Sequence, residues 1–143
     1  MRALQRRPLP KQWKIIFMNS VLRGSILYSS DMYYDLKEAE LRQIKRIEEG
    51  FLRKVLKTTM GCPITQLYLE MGVTPARFEI QKMRLLYLKN ILEEREESSR
   101  NKFFFLQLEL PTRGSWAQTC INDMKELKIT ETFEEIKITK YKF

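Results

Sequence analysis

Residues 35–59, DLKEAELRQIKRIEEGFLRKVLKTT, and residues 75–97, PARFEIQKMRLLYLKNILEEREE, decide the fold of this chain. In the first stretch Leu36, Leu41, Ile44, Ile47, Phe51, Leu52, Val55 and Leu56 recur at steps of three and four, the period of one helix face. The second repeats the pattern with Phe78, Ile80, Met83, Leu85, Leu86, Leu88, Ile91 and Leu92. Asp35 followed by Glu38 resembles a capping box at the start of the first, which is expected to run to about Thr59. Gly61 and Pro63 stop it, the glycine by permitting a left-handed backbone and the proline by lacking an amide hydrogen. A short helix of about Thr65 to Met71 sits between the long pair, closed by Gly72, and Thr74-Pro75 opens the next. That helix is expected to run from Pro75 to about Glu97, and its acidic end, Glu93 to Glu97, falls where a helix C-terminus disfavours negative charge, so fraying into Ser98-Ser99 is expected.

Outward from this pair, residues 1–10 combine three arginines with Pro8 and Pro10 and read as a loose basic arm. Residues 11–28 predict a first helix, with Trp13, Ile16, Phe17, Val21, Ile26 and Leu27 spaced for more than one buried face. Gly24 costs that helix about 1 kcal/mol relative to alanine and predicts a close helix contact. Toward the C-terminus, Phe103 to Leu108 fits a short helix or a strand, and the helical neighbours favour helix. Ser115 with Gln118, and Thr132 with Glu135, are capping-box signals for two further helical pieces, the last of which shows no C-cap signal before the chain stops. The expected fold is all-α, an irregular bundle of five to seven helices with two long amphipathic ones. Its expected divisions are the arm 1–10, a helical domain 11–97 and a C-terminal extension 98–143.

Composition narrows the function. The chain has 143 residues, 43% apolar and 31% charged, enough for a core and too apolar for global disorder. No apolar run approaches the roughly 20 residues of a membrane span, and no signal peptide is evident, so an intracellular protein of nucleus or cytoplasm is expected. Cys62 and Cys120 lie far apart in a chain without histidine, which removes a zinc site and a Cys-His nucleophile and leaves reduced structural thiols. Twenty-six basic residues against eighteen acidic ones give a net charge of +8, which favours an anionic partner. The excess is uneven: residues 1–34 carry +5 and residues 93–110 carry −2.

Sites of chemistry are missing. There is no adjacent Asp-Asp pair, and Asp31 and Asp35 flank aromatic residues without the converging carboxylates that two metal ions require. The five glycines never cluster into a phosphate loop, so no cofactor, metal or small-molecule substrate is expected. What remains is a basic stripe. Arg42, Arg46, Arg53 and Lys57 share one helix face, interrupted by Glu49, and Lys11, Lys14 and Arg23 join it if the first two helices pack antiparallel. Such a set would contact backbone phosphates, which position a duplex without reading its sequence. The competing reading is a solvated face laced with pairs such as Glu38-Arg42 and Glu49-Arg53. The tyrosines and the Phe103–Phe105 run could stack on bases, although such residues are more often core.

The order of these short patterns resembles the region that follows the polymerase core in reverse transcriptases of non-LTR retrotransposons. Ile26-Leu27-Tyr28-Ser29-Ser30-Asp31-Met32-Tyr33 is similar to that family's Leu-Leu-Tyr-Gly element with its following acidic and aromatic residues. Leu52 to Leu56, Leu67 to Pro75, Arg84 to Leu88 and Gly114-Ser115-Trp116 follow in the family's order, with Ser29 and Ser115 standing where glycine and aspartate are common. The resemblance implies a thumb and connection segment that grips template and primer, RNA or an RNA/DNA duplex, beside other domains of the enzyme. Its catalytic aspartates would lie upstream, so this chain itself is expected to be non-catalytic. The alternative is a helical protein-interaction module that docks on polymerase domains or a host partner.

Overall fold

A computed structural model describes residues 10–33, 36–110 and 114–129. The expected arm, Asp35 itself and the Thr132-Glu135 piece lie in whole or in large part outside these residues, but the cap position before Glu38 is Lys37 and not Asp35, its N–H donating to Glu40 Oε2 at 2.8 Å. Every regular element among the described residues is helical. In chain order they are α1 (Lys11–Phe17), a π-helical stretch Met18–Arg23, α2 (Gly24–Leu27), a short turn Ser30–Met32, α3 (Glu38–Leu56), α4 (Ile64–Met71), α5 (Ala76–Glu93), α6 (Ser99–Glu109) and α7 (Trp116–Glu126). The all-α expectation holds, and Phe103–Leu108 is helix.

The chain forms two compact units: Met1–Ser30 with Leu36–Ile80, and Asp31–Asp35 with Gln81–Phe143. The division therefore falls inside α5 and not at the acidic linker near residue 97. The physical reason is that residues 81–93 already belong to the later core through Leu88, Ile91 and Leu92.

In the first unit Met18, Phe51, Leu52, Leu67, Tyr68 and Met71 form the core, with Ile15, Phe17, Leu22 and Val55 packed against it. The first helical run is antiparallel to α3. Lys14 lies by Val55, Phe17 stacks on Phe51 at 6.1 Å, and Arg23 reaches Glu48, so residue numbers rise along one helix as they fall along the other. The π-helical stretch closes with Gly24 N–H donating to Asn19 O, an i→i−5 bond that stacks residues five apart. It thereby turns both Met18 and Arg23 inward, while Trp13, Ile16 and Val21 remain more than half exposed. Only part of the face expected of this helix is therefore buried. Gly24 has no close neighbour, its nearest being Asn19 O at 3.8 Å from an added Cβ, so the expected close approach is absent.

The second unit has its own core of Leu88, Ile91, Leu92, Phe104, Trp116, Ala117, Cys120 and Met124. Trp116 meets Tyr87 and Phe104 edge-on, and its Nε1 donates to Asp31 O at 2.7 Å. Ser115 caps α7 by accepting from Gln118 N–H at 3.1 Å, as expected. The Gln118 amide bonds Asn122. Asn101, fully buried, donates to Ile91 O, which also accepts from Glu94 N–H, and α5 stops at Glu93, short of the expected end near Glu97.

Helix ends show how much a glycine signal explains. Gly72 ends α4 at φ +65, with Val73 N–H donating to Tyr68 O and Gly72 N–H to Leu69 O, as expected. For α3 the expectation fails: Lys57, at φ +53, is the left-handed residue, and Thr58 N–H donates back to Arg53 O. Gly61 keeps an ordinary φ. Lys128 repeats this use of lysine after α7 at φ +58, with Ile129 N–H on Met124 O.

Candidate nucleic-acid interface

Successive residues of a helix are about 100° apart, which places Arg42, Arg46, Arg53 and Lys57 within an arc of about 60° on α3, opposite its apolar face. The tertiary structure divides this set. Arg42 and Arg46 project to solvent, and Lys57 is exposed at the helix end. Glu38 lies 3.6 Å from Arg42, an exposed pair of the kind worth roughly 0.3–0.5 kcal/mol, too weak to occupy the guanidinium against a phosphate. Arg53 is half-buried and donates from Nη1 to Thr59 O at 2.8 Å and Cys62 O at 2.9 Å, so it pins the turn after α3.

The bases expected from the first helix are also drawn into the protein. Lys14 donates to Val55 O at 3.2 Å, where a cation also suits the C-terminal end of the α3 dipole. Lys11 pairs with Glu70 at 3.5 Å and stays half-exposed. Arg23 is buried, and its guanidinium donates to Glu48 Oε1 at 3.3 Å and to Thr74 O. It is therefore removed from the surface set, because a cation enclosed by a carboxylate and a carbonyl is not accessible to a phosphate. Antiparallel packing does occur, but it directs Lys14 and Arg23 inward. Among the described residues the exposed cations of the unit are Arg42, Arg46, Lys57 and Lys11, joined by Lys37, Lys45, Lys54 and Arg77.

The group that organises this region is Glu48, which the sequence reading passed over. It is 1% exposed and accepts from Arg23, from Tyr68 Oη at 3.0 Å and from Ala76 N–H at 2.9 Å. One carboxylate thus joins the first helix, α3, α4 and the start of α5, where it does the capping expected of Thr74. Burial, then the adjacent Glu48 charge, push the Tyr68 hydroxyl well above the ordinary tyrosine range, so it stays a donor. A sequence signal existed: Glu48 stands four residues from Ile44 and four from Leu52, inside the apolar face.

Among the described residues no group of three His, Cys, Asp or Glu side chains is placed to hold a metal ion, and no helix is long and apolar enough to cross a membrane. No protein-family profile, curated protein or solved structure matches the chain.

Proposed function

We propose that this chain is a non-catalytic thumb and connection segment of a non-LTR retrotransposon reverse transcriptase, and that its first unit holds RNA or an RNA/DNA duplex by backbone phosphates. The observation that carries the reading is the sorting of charge. The sequence ranges of the first unit contain fourteen Lys and Arg against six Asp and Glu, whereas those of the second contain twelve of each. The whole net charge of +8 therefore belongs to one unit, and Arg42, Arg46 and Lys57 are exposed along one side of it. Glu38 and Glu49 interrupt this face through exposed pairs with Arg42 and Lys45, and the net excess of positive charge over the unit suits a regular polyanion.

The resemblance in the order of short motifs supports the family part of the proposal. Ser29, which stands where that family commonly has glycine, adopts φ +54, a backbone conformation that favours glycine. The catalytic aspartates would be supplied upstream, and the working compartment would be nucleus or cytoplasm, where RNA templates occur. The reading is tested by anisotropy of a labelled RNA/DNA hybrid across a salt series. Binding should be independent of sequence, with log affinity falling by about 0.9 per phosphate neutralised for each decade of salt. Arg42→Glu with Arg46→Glu should weaken it at least tenfold without loss of helicity. Equal affinity in that variant would remove the proposed surface.

A further inference from the structure

One residue on the basic side of α3 serves neither the helix nor its packing. Gly50 lies in the interior of Glu38–Leu56, where glycine is the least favourable residue after proline. It has no positive φ, and a Cβ added to it would meet nothing within 4 Å. The packing of the described residues therefore gives no reason for a missing side chain here. What the glycine supplies is access: without a Cβ, another molecule can come closer to the helix backbone than a side chain would allow.

The surroundings of this notch are cationic. At about 100° per residue, Arg46, Lys54 and Lys57 lie within about 40° of Gly50 around the helix, whereas the buried Glu48 and Leu52 lie about 160° away. Arg46 and Lys54 stand one turn to either side, each about 6 Å from Gly50 along the axis. Arg42, Lys45 and Lys11 are paired with Glu38, Glu49 and Glu70, but among the described residues Arg46, Lys54 and Lys57 meet no acid. Ile47, half-exposed about 60° away, is the apolar side chain of α3 nearest the notch and offers little surface to a partner helix. An unpaired cation on each side of a bare stretch of helix backbone suits a phosphodiester strand that crosses the helix, because phosphates are met on both flanks while the chain between them has room.

We infer that Gly50 is the point where the sugar-phosphate backbone of the bound strand crosses α3, with Arg46 and Lys54 on phosphates to either side. The inference rests on the nucleic-acid reading above and adds to it a contact set by shape, which net charge alone does not demand.

The experiment reads hybrid binding by anisotropy, and urea unfolding, for the full chain and for Gly50→Ala, Gly50→Gln and Gly50→Lys. All three replacements favour a helix over glycine, so each should raise the urea midpoint. Affinity should nonetheless fall as the side chain grows, about twofold for alanine and about fivefold or more for glutamine, because the strand is held off the helix. Gly50→Lys separates shape from charge. It adds a cation to the basic side and should still weaken binding about threefold or more, whereas Gln43→Lys, two turns away on the same side, should tighten it. Binding by Gly50→Lys as tight as by the parent chain, or tighter, would reduce the contact to general cationic attraction and overturn the inference while the proposed function stands. No binding by the parent chain would remove both. Unchanged hybrid affinity in Gly50→Gln, together with a loss of self-association on sedimentation, would give the notch to a second copy of the chain and would also overturn the inference.

Discussion

The two units bury the same kind of group and differ in net charge. In the first, Glu48 and Arg23 meet in the interior and the surface is strongly basic. In the second, Arg84 donates to Asp123 Oδ2 at 2.8 Å, Gln81 donates to the same carboxylate and to Glu126, and the unit is neutral. Buried ion pairs are thus common to both, and only the surface differs. A buried pair is held by geometry and hydrogen bonds that satisfy both charges, whereas an exposed charge is free to vary with what the surface meets. The surface of the first unit is therefore the place to look for a partner, and the interior of neither is.

The largest test of this comparison is removal of one buried partner in each unit. Glu48→Leu should destabilise the first unit by about 3–5 kcal/mol, since it leaves the buried Arg23 charge with only Thr74 O and frees Tyr68 Oη and Ala76 N–H. Asp123→Leu leaves the buried Arg84 without that carboxylate but should cost less, because Gln81 keeps Glu126 as an acceptor whereas loss of Glu48 frees two further donors. Urea unfolding followed by unit-resolved amide exchange checks the order, and equal losses would break the proposed dominance of Glu48. Arg23→Met combined with Glu48→Leu should recover much of the loss, because neither charge is then left alone.

Alkaline titration separates the units next. Burial pushes the Cys120 thiol up to about 12 from 9.0, with Asp123 adding to the rise and Arg84 opposing it. Above about pH 9 the unfolded chain loses this proton while the folded chain keeps it, so stability falls with rising pH by up to about 1.4 kcal/mol per unit. The second unit should lose about 2 kcal/mol by about pH 10.5. Cys120→Ala should remove that slope, which thermal unfolding at stepped pH would read. Tyr68, also raised but from 10.0, should begin to act in the first unit about one pH unit later.

The smallest expected effects are at the helix ends. Lys57 and Lys128 hold left-handed conformations that cost a residue with a Cβ about 1–2 kcal/mol. Replacing either with glycine should stabilise its unit by about 0.5–1 kcal/mol after the added freedom of the unfolded chain is subtracted, visible as a raised urea midpoint. The two gains should be alike, as both lysines close the same kind of turn. A loss at Lys57 alone would mean that its side chain makes a contact that holds the first unit together.

The helices were legible because three- and four-residue apolar steps across residues 36–56 and 78–92 have no other low-energy solution. Gly72, Ser115 and the acidic run near residue 93 were legible for the same local reason: each acts on backbone groups within one turn of itself. The candidate surface was legible only in part. Arg42, Arg46 and Lys57 are exposed as their spacing implied, while Arg23, Lys14 and Arg53 have the same charge and are occupied by partners up to 51 residues away. Glu48 and Arg84 left a trace, since each has apolar residues four before and four after it, Ile44 and Leu52 for one, Ile80 and Leu88 for the other. That pattern reveals a charge inside an apolar face but not which distant group will meet it.

By itself, then, the sequence determined an all-helical chain, the positions of its long helices, the cap at Gly72 and an excess of positive charge in its early part, because all of these depend on neighbours within a turn or on composition alone. Only the tertiary structure decided that the units part within α5, that Lys57 and not Gly61 ends α3, that a π-helical stretch turns Arg23 inward, and which cations remain at the surface. The parting of the units and the burial of Arg23 depend on contacts between residues distant in the chain, whose free energy exists only once the segments have been brought together, and the turn at Lys57 is fixed by Arg53 reaching Thr59 O and Cys62 O, bonds that no apolar spacing signals.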